Sequence, residues 1–304
     1  MRLNDLFKKL KNTAVKFRAQ AALISIIFGL MASPSLSKTI LDSQDSKFFR
    51  ESLFHIVNRD ELTVPFIQNA AQRTYYAEQT DDDLILKARH LGFSSEIEGD
   101  FLFDCMTTEN TNAVTMAHTM DDTATHMNRV KYYLKTMGTK DKHVEVTLDT
   151  DKATELYLPA QNSYYWIGTA GATGFGRGRQ ITRFHGSECA HWKDQSVLTA
   201  VLNARSKRAK TRLETTANGM GEKFHELWEE AGDPANGSPW KRHFFAWWMD
   251  PENVVECPGK LVLTVLEVKV RQKVKQIYGV SLTDPQLAWY RRERSRQADK
   301  TLMC

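Results

Sequence analysis

Residues 81–95 restrict the fold of this chain more than any other stretch. The apolar run Leu84-Ile85-Leu86 reads as a buried strand, a loop with two cations and one glycine follows, and Ser94-Ser95 opens a helical segment. Strand, loop and helix N-terminus in that order make a site for phosphate. Backbone N–H groups and the positive end of the helix point at the anion, and a lysine adds a point charge. The match to the usual order G-x-x-x-x-G-K-[ST] is incomplete. Phe93 stands where the lysine belongs, and the nearby lysine is Lys87, on the strand side of the loop.

A chain of 304 residues can bury a full core and hold one large domain or two small ones. Its 41% hydrophobic and 26% charged residues are ordinary for a globular protein. A net charge of +4 is too small for the whole chain to act as an electrostatic glue for nucleic acid, so DNA contact must come from local patches. Cys105, Cys189, Cys257 and Cys304 form no C-x-x-C pair, which fits a reducing compartment and argues against a disulfide framework or a structural zinc. His185, Cys189 and His191 lie close in sequence but lack an ordinary ligand spacing.

The N-terminus conflicts with that plain picture. A basic stretch containing Lys8, Lys9, Lys11, Lys16 and Arg18 leads into an apolar run over 21–32 and small residues over 33–37. That is the outline of a secretory signal, too short to span a bilayer. An amphipathic or buried N-terminal helix fits the same residues, as does sequence upstream of the true start.

Along the rest of the chain, residues 38–60 carry a helical apolar stripe. Asn69 is a plausible N-cap for the next helix, and Gln72 within it is either a surface residue or an amide able to read adenine. A helix over 95–108, a strand over 112–117 and a helix over 121–137 follow the loop, and this alternation argues for a mainly parallel sheet covered on both faces. Period-two patterns at 144–147, 155–158 and 164–167 predict antiparallel hairpins. The glycine-dense loop 168–178 and Arg177 and Arg179 suit either a phosphate contact or a solvated basic loop.

A strand over 181–188 ends in an acid. Hydrolysis of a phosphoanhydride needs one group to hold Mg²⁺ and another to activate water. Here Glu188 is present, and Ser187 occupies the place of an expected aspartate. A further strand ends in Thr215-Thr216-Ala217-Asn218-Gly219, small polar residues placed to sense a γ-phosphate and move the helix after them. The aromatic run 244–248 reads as core packing.

Taken in order, four blocks resemble the ATPase half of the large subunit of tailed-phage DNA-packaging terminases, over roughly residues 46–292. Residues 64–72 (VPFIQNAAQ) look like that family's adenine motif, 86–95 (LKARHLGFSS) like its deviant Walker A, 184–192 (FHGSECAHW) like its Walker B, and 214–219 (ETTANG) like its coupling motif. The resemblance implies an α/β P-loop NTPase fold of the RecA-like/ASCE type, with a mainly parallel sheet flanked by helices and an antiparallel hairpin region. It implies ATP and Mg²⁺ as cofactors. Nucleotide would be held by Gln72, Lys87, Ala88, Arg89, His90, Leu91, Gly92, Phe93, Ser94 and Ser95. Lys87 would stand in for the displaced lysine, Arg89 would respond to hydrolysis, and Glu188 would polarise water. Ser94 and Ser187 would meet Mg²⁺ through water, and Thr215, Thr216 and Asn218 would couple nucleotide state to motion. His90 departs from the family's usual glutamine, and Ser187 from its aspartate.

The implied organisation is an N-terminal extension (1–45), an ATPase domain (46–255) and a helical lead-in (256–304). Full-length relatives carry a nuclease after the ATPase, and the few acids after residue 283 are too sparse for one, so no intrinsic nuclease activity is expected. The implied partners are double-stranded DNA, a terminase small subunit, a portal or procapsid, and further copies of the chain. The implied setting is the host cytoplasm, without stable membrane association. Three alternatives remain: a decayed or truncated prophage remnant that binds nucleotide without turnover, a secreted protein resting only on residues 1–37, and a generic P-loop helicase, against which the 214–219 block and the displaced lysine argue.

Overall fold

The computed structural model describes residues 45–139, 142–171, 180–257 and 259–296. The described chain opens with helix α1 (Ser46–Leu53), whose cap, Asp45, accepts from the Lys47 N–H. A short antiparallel hairpin, β1 (His55–Val57) and β2 (Thr63–Pro65), leads to α2 (Ala70–Glu78). Next come β3 (Asp82–Lys87), α3 (Phe93–Thr107), β4 (Asn112–Ala117) and α4 (Met120–Thr136). The small pair β5 (Gly138–Thr139) and β6 (Lys142–His143) precedes β7 (Thr150–Asp151), β8 (Glu155–Leu158) and β9 (Ser163–Thr169). Then follow β10 (Ile181–Ser187), α5 (Ser196–Asn203), β11 (Arg205–Thr215), α6 (Lys223–Glu230), β12 (Lys241–Phe245), α7 (Val265–Tyr278) and α8 (Asp284–Arg296).

Eight strands form one sheet in the order β12-β3-β11-β10-β4-β9-β8-β7. The pairings from β12 to β9 are parallel, and β8 and β7 add antiparallel strands at one edge. β3 lies inside the sheet, next to the edge strand β12, and both of its faces are covered. Ile85 packs among Phe49, Phe101 and Tyr165 on one side, while Leu84 packs with Leu213, Leu198 and Phe224 on the other. That is why its sequence is a continuous apolar run with no alternation. Each such side chain contributes about 1.5–3 kcal/mol on burial. One buried ion pair braces the first face. Arg50, fully buried on α1, donates to Glu96 at 2.7 Å in the first turn of α3. Removing one partner of such a pair costs about 3–5 kcal/mol, because the other charge stays buried.

Three expectations need correction. The helix expected over 38–60 is confined, among the described residues, to α1. Phe54 turns extended, and the β-branched Ile56 and Val57 pair with Val64 and Thr63 in the hairpin. The 144–147 stretch joins no ladder: Val144 is buried, with its N–H bonded to the Met137 carbonyl. Tyr164–Ile167 does pair antiparallel with β8, but its other side pairs parallel with β4, so the hairpin extends the main sheet. The basic and apolar segment 1–37, with Arg177 and Arg179, lies outside the described residues. No helix among the described residues is long and apolar enough to cross a membrane.

Residues after β12 build a smaller core of their own. Trp247 stacks on Trp289 and Tyr290 of α8, at ring separations of 5.3 and 5.4 Å, beside Val274 and Leu287. Glu267 links the two helices. It closes the capping box of α7 with Thr264 and takes a two-pronged contact from Arg291 of α8 at 2.6 and 2.7 Å. The Arg291 contact is the main reason its pKa falls from 4.5 to about 2. A carboxylate depressed in this way stabilises the folded state fully above its unfolded pKa and loses that contribution as pH falls through the folded one. The docking of α7 on α8 should therefore weaken between pH 4.5 and about 2. Tryptophan fluorescence of an acid titration should register this, and Glu267→Gln should flatten the response in that window.

Candidate phosphate and hydrolysis site

The loop after β3 is fixed from two sides. Asn69 and Gln72 form the capping box of α2, each side chain bonding the other's backbone N–H. The same two side chains then reach the loop: Asn69 Nδ2 donates to the Leu91 carbonyl at 3.0 Å, and Gln72 Nε2 to the Gly92 carbonyl at 2.8 Å. From the hairpin, Arg59 donates to the His90 carbonyl at 3.0 Å while contacting Asp250 and Glu252. The backbone at His90 and Gly92 is left-handed, with φ of 64° and 73°. This curls the loop over the N-terminus of the fifteen-residue helix α3. Gln72 is thus a positioning residue: its carbonyl and one N–H are engaged within the protein, and it does not line the cleft. The adenine role expected of it finds no support in that geometry.

A cleft of ≈ 960 Å³ opens above the loop, lined by residues 87–95, by Thr216 and Ala217, and on its far side by Trp247 and Trp289. Lys87, Ala88, Arg89, His90, Leu91, Gly92, Phe93, Ser94 and Ser95 are therefore gathered as expected, with Arg89 and His90 exposed. At the strand end below them sits a cluster of charges. Lys87 Nζ lies 2.6 Å from Glu188 Oε1 and 3.0 Å from Glu214 Oε2. Burial pulls the Lys87 pKa down, but Glu214 and then Glu188 more than offset this, so the ammonium is held above its ordinary value.

Glu188 directly follows β10 in a left-handed conformation, φ 48°, that no glycine relieves. Its other oxygen accepts from the Thr216 backbone N–H at 2.8 Å and the Thr216 hydroxyl at 3.0 Å. Thr215 is buried and shares the same oxygen at a long 3.5 Å, while Asn218 donates to the Ala190 carbonyl just beyond the acid. So the acid, the phosphate-loop cation and the 215–218 segment form one connected set. Gly186 keeps β10 close to β11; a Cβ there would sit 2.8 Å from Leu213 Cδ2.

The sequence reading missed Glu214. It was grouped with the threonines after it, yet it is fully buried and central. Its Oε1 accepts from Ser94 at 2.7 Å and Ser187 at 2.9 Å, and His185 Nε2 lies 3.4 Å away. Burial alone would raise its pKa; Lys87 first, then His185 and Ser94, hold it well below the carboxylate range. Glu214 stands one residue before the end of β11 and level with Ser187 on β10, a lateral pairing that the order of residues does not show.

The strand order defines the class. One additional strand, β11, stands between β3, which leads into the loop, and β10, which Glu188 follows, the strand order of an ASCE-type fold. The same fold occurs in phage large terminases. The bacteriophage HK97 large terminase superposes with a TM-score of 0.58 at 16% identity, covering 85% of this chain and 53% of that one. The Thermus phage P74-26 large terminase ATPase domain superposes at 0.51 and 13% identity, covering 77% and 90%. The chain thus spans about half the length of the HK97 protein. No protein-family profile and no curated protein sequence matches it.

Gly92 gives a direct test of the loop. An added Cβ would meet Gln72 Nε2 at 2.8 Å, on a backbone that side chains disfavour. Gly92→Ala should lower stability by about 1–2 kcal/mol in urea unfolding and weaken binding of a fluorescent ATP analogue. Unchanged binding would remove the loop geometry from the phosphate site.

Proposed function

We propose that this chain binds ATP with Mg²⁺ in the cleft above residues 87–95 and hydrolyses it, as the motor ATPase of a terminase that drives double-stranded DNA into a procapsid. The observation that carries the reading is Glu188, gripped on one oxygen by Lys87 and on the other by Thr216. A bound triphosphate offers Lys87 a second anion. As the ammonium turns to the phosphates, Glu188 Oε1 opens toward the cleft and can take a proton from an attacking water. Thr216 keeps the carboxylate aimed through Oε2. The loop N–H groups and the α3 N-terminus bind the phosphate oxygens, and Arg89, exposed at the cleft, meets the γ-phosphate.

The donor set at the strand ends suits Mg²⁺. Ser94 and Ser187 are hydroxyls converging on one buried carboxylate, all oxygen and of the hard character this ion takes. When bound, the ion neutralises charge on the β- and γ-oxygens. Loss of the γ-phosphate changes the pull on Lys87, hence on Glu188, hence on Thr216 and the segment leading to α6. That ordered chain of contacts couples hydrolysis to movement. The partners follow from the same reading: duplex DNA, a small subunit, a portal or procapsid, and neighbouring copies of the chain.

Purified protein should hydrolyse MgATP, faster with duplex DNA. Glu188→Gln should lower turnover by about 10²–10⁴-fold while nucleotide binding survives. Undiminished hydrolysis in that variant would remove Glu188 from its role. A second reading, a decayed copy that binds nucleotide without turnover, draws on one observation, the serine at 187 in place of an acid. Tight nucleotide binding with no hydrolysis in the wild type, even with DNA, would favour it. Thr216→Val, which deletes the hydroxyl contact to Glu188 and leaves the backbone one, should cut DNA-stimulated turnover more than nucleotide affinity in the same assays.

A further inference from the structure

Position 187 holds a hydroxyl where a charged group is expected, and the charge lies one strand away. Ser187 of β10 and Glu214 of β11 are direct partners in the parallel ladder, so the two side chains stand level at the same end of the sheet. Glu214 Oε1 accepts from both Ser187 and Ser94, the two hydroxyls assigned to the ion. Its Oε2 accepts no well-aligned hydrogen bond in the described structure and faces only the Lys87 ammonium, 3.0 Å away. Glu214 does not itself line the cleft; Ser94 and Lys87, which do, both touch it. It sits one side chain beneath the floor. As a counter-ion it is redundant, because Lys87 is already paired with Glu188 at 2.6 Å. Besides that shared ammonium, Glu214 has His185 Nε2 at 3.4 Å and the two hydroxyls against it, and a fully buried carboxylate that shares its ammonium with a second acid is stabilised by a further cation.

We propose that Glu214 supplies the carboxylate of the metal shell in this chain, the charge having moved sideways from position 187 to position 214, with Lys87 covering it until nucleotide draws the ammonium away. This rests on the reading that nucleotide binds above residues 87–95. It assigns Ser94, Ser187 and Glu214 to one divalent cation, and makes Lys87 the occupant that the cation displaces.

The test is Mn²⁺ binding followed by electron paramagnetic resonance on the full chain with a non-hydrolysable ATP analogue, a readout independent of turnover. Glu214→Gln should weaken Mn²⁺ by about tenfold or more, while the analogue still binds in the presence of EDTA. Ser187→Asp added to Glu214→Gln should recover most of the lost affinity, since it returns the charge to the neighbouring strand at the same level. A purely structural role for Glu214 predicts no such recovery. Glu214→Asp keeps the ion pair with Lys87 and is milder on folding, checked by circular dichroism. It should still weaken Mn²⁺, because its carboxylate is one methylene short of Ser94 and Ser187. Mn²⁺ affinity unchanged in Glu214→Gln or Glu214→Asp, or a double variant no better than Glu214→Gln, overturns the assignment. Wild-type protein that binds no analogue at all would instead overturn the nucleotide reading beneath it, and this inference with it.

Discussion

The site depends on one ammonium held between two carboxylates. Lys87 leaves the end of a doubly buried strand and meets Glu188 from β10 and Glu214 from β11, so three neighbouring strands are joined at their C-terminal ends by charge as well as by backbone ladder. The arrangement is stable only because each charge has a partner where water is scarce. Without Lys87, the two acids would lie close together beneath the cleft with no ammonium between them. Without the acids, a buried ammonium would be alone. The lysine thus ties the end of β3 to the acids beside it on both neighbouring chain segments.

Much of this was legible in the sequence, for identifiable reasons. Leu84-Ile85-Leu86 gave away its strand because a strand buried on both faces has no polar alternation. Asn69 was readable as a cap because capping is a local affair of side chain and nearby backbone. Residues 87–95 and 188 could be placed at one site because strand ends in a parallel sheet gather on one edge. What stayed hidden required lateral neighbours. Nothing in the order of residues says that β11 inserts between β3 and β10, and only that insertion brings Glu214 beside Ser94. Gln72 was ambiguous for the opposite reason: an amide near such a loop fits base recognition and loop support equally well, and the contact to the Gly92 carbonyl is visible only in the structure.

The same contrast explains the hairpins. Alternation at 144–147 resembled that at 155–158, yet only the second found a ladder partner, because β-pattern reports a side chain's exposure and not the presence of a neighbouring strand. Ile56 and Val57 continued the apolar stripe of α1 on paper, but they pair across the hairpin in space. At 144–147 periodicity described the burial and left the backbone partner undetermined; at Ile56 and Val57 it gave neither, since Val57 is exposed.

Arg59 gives the loop a mechanical connection of a different kind. Its guanidinium holds the apex of the phosphate loop through the His90 carbonyl and, with its other prongs, Asp250 and Glu252 on the segment that leaves β12 toward α7. Half-exposed ion pairs of this type are weak and screened by salt. The joint is thus a slip clutch: it keeps loop apex and departing segment in step under small displacements, and lets go before the strain reaches the sheet.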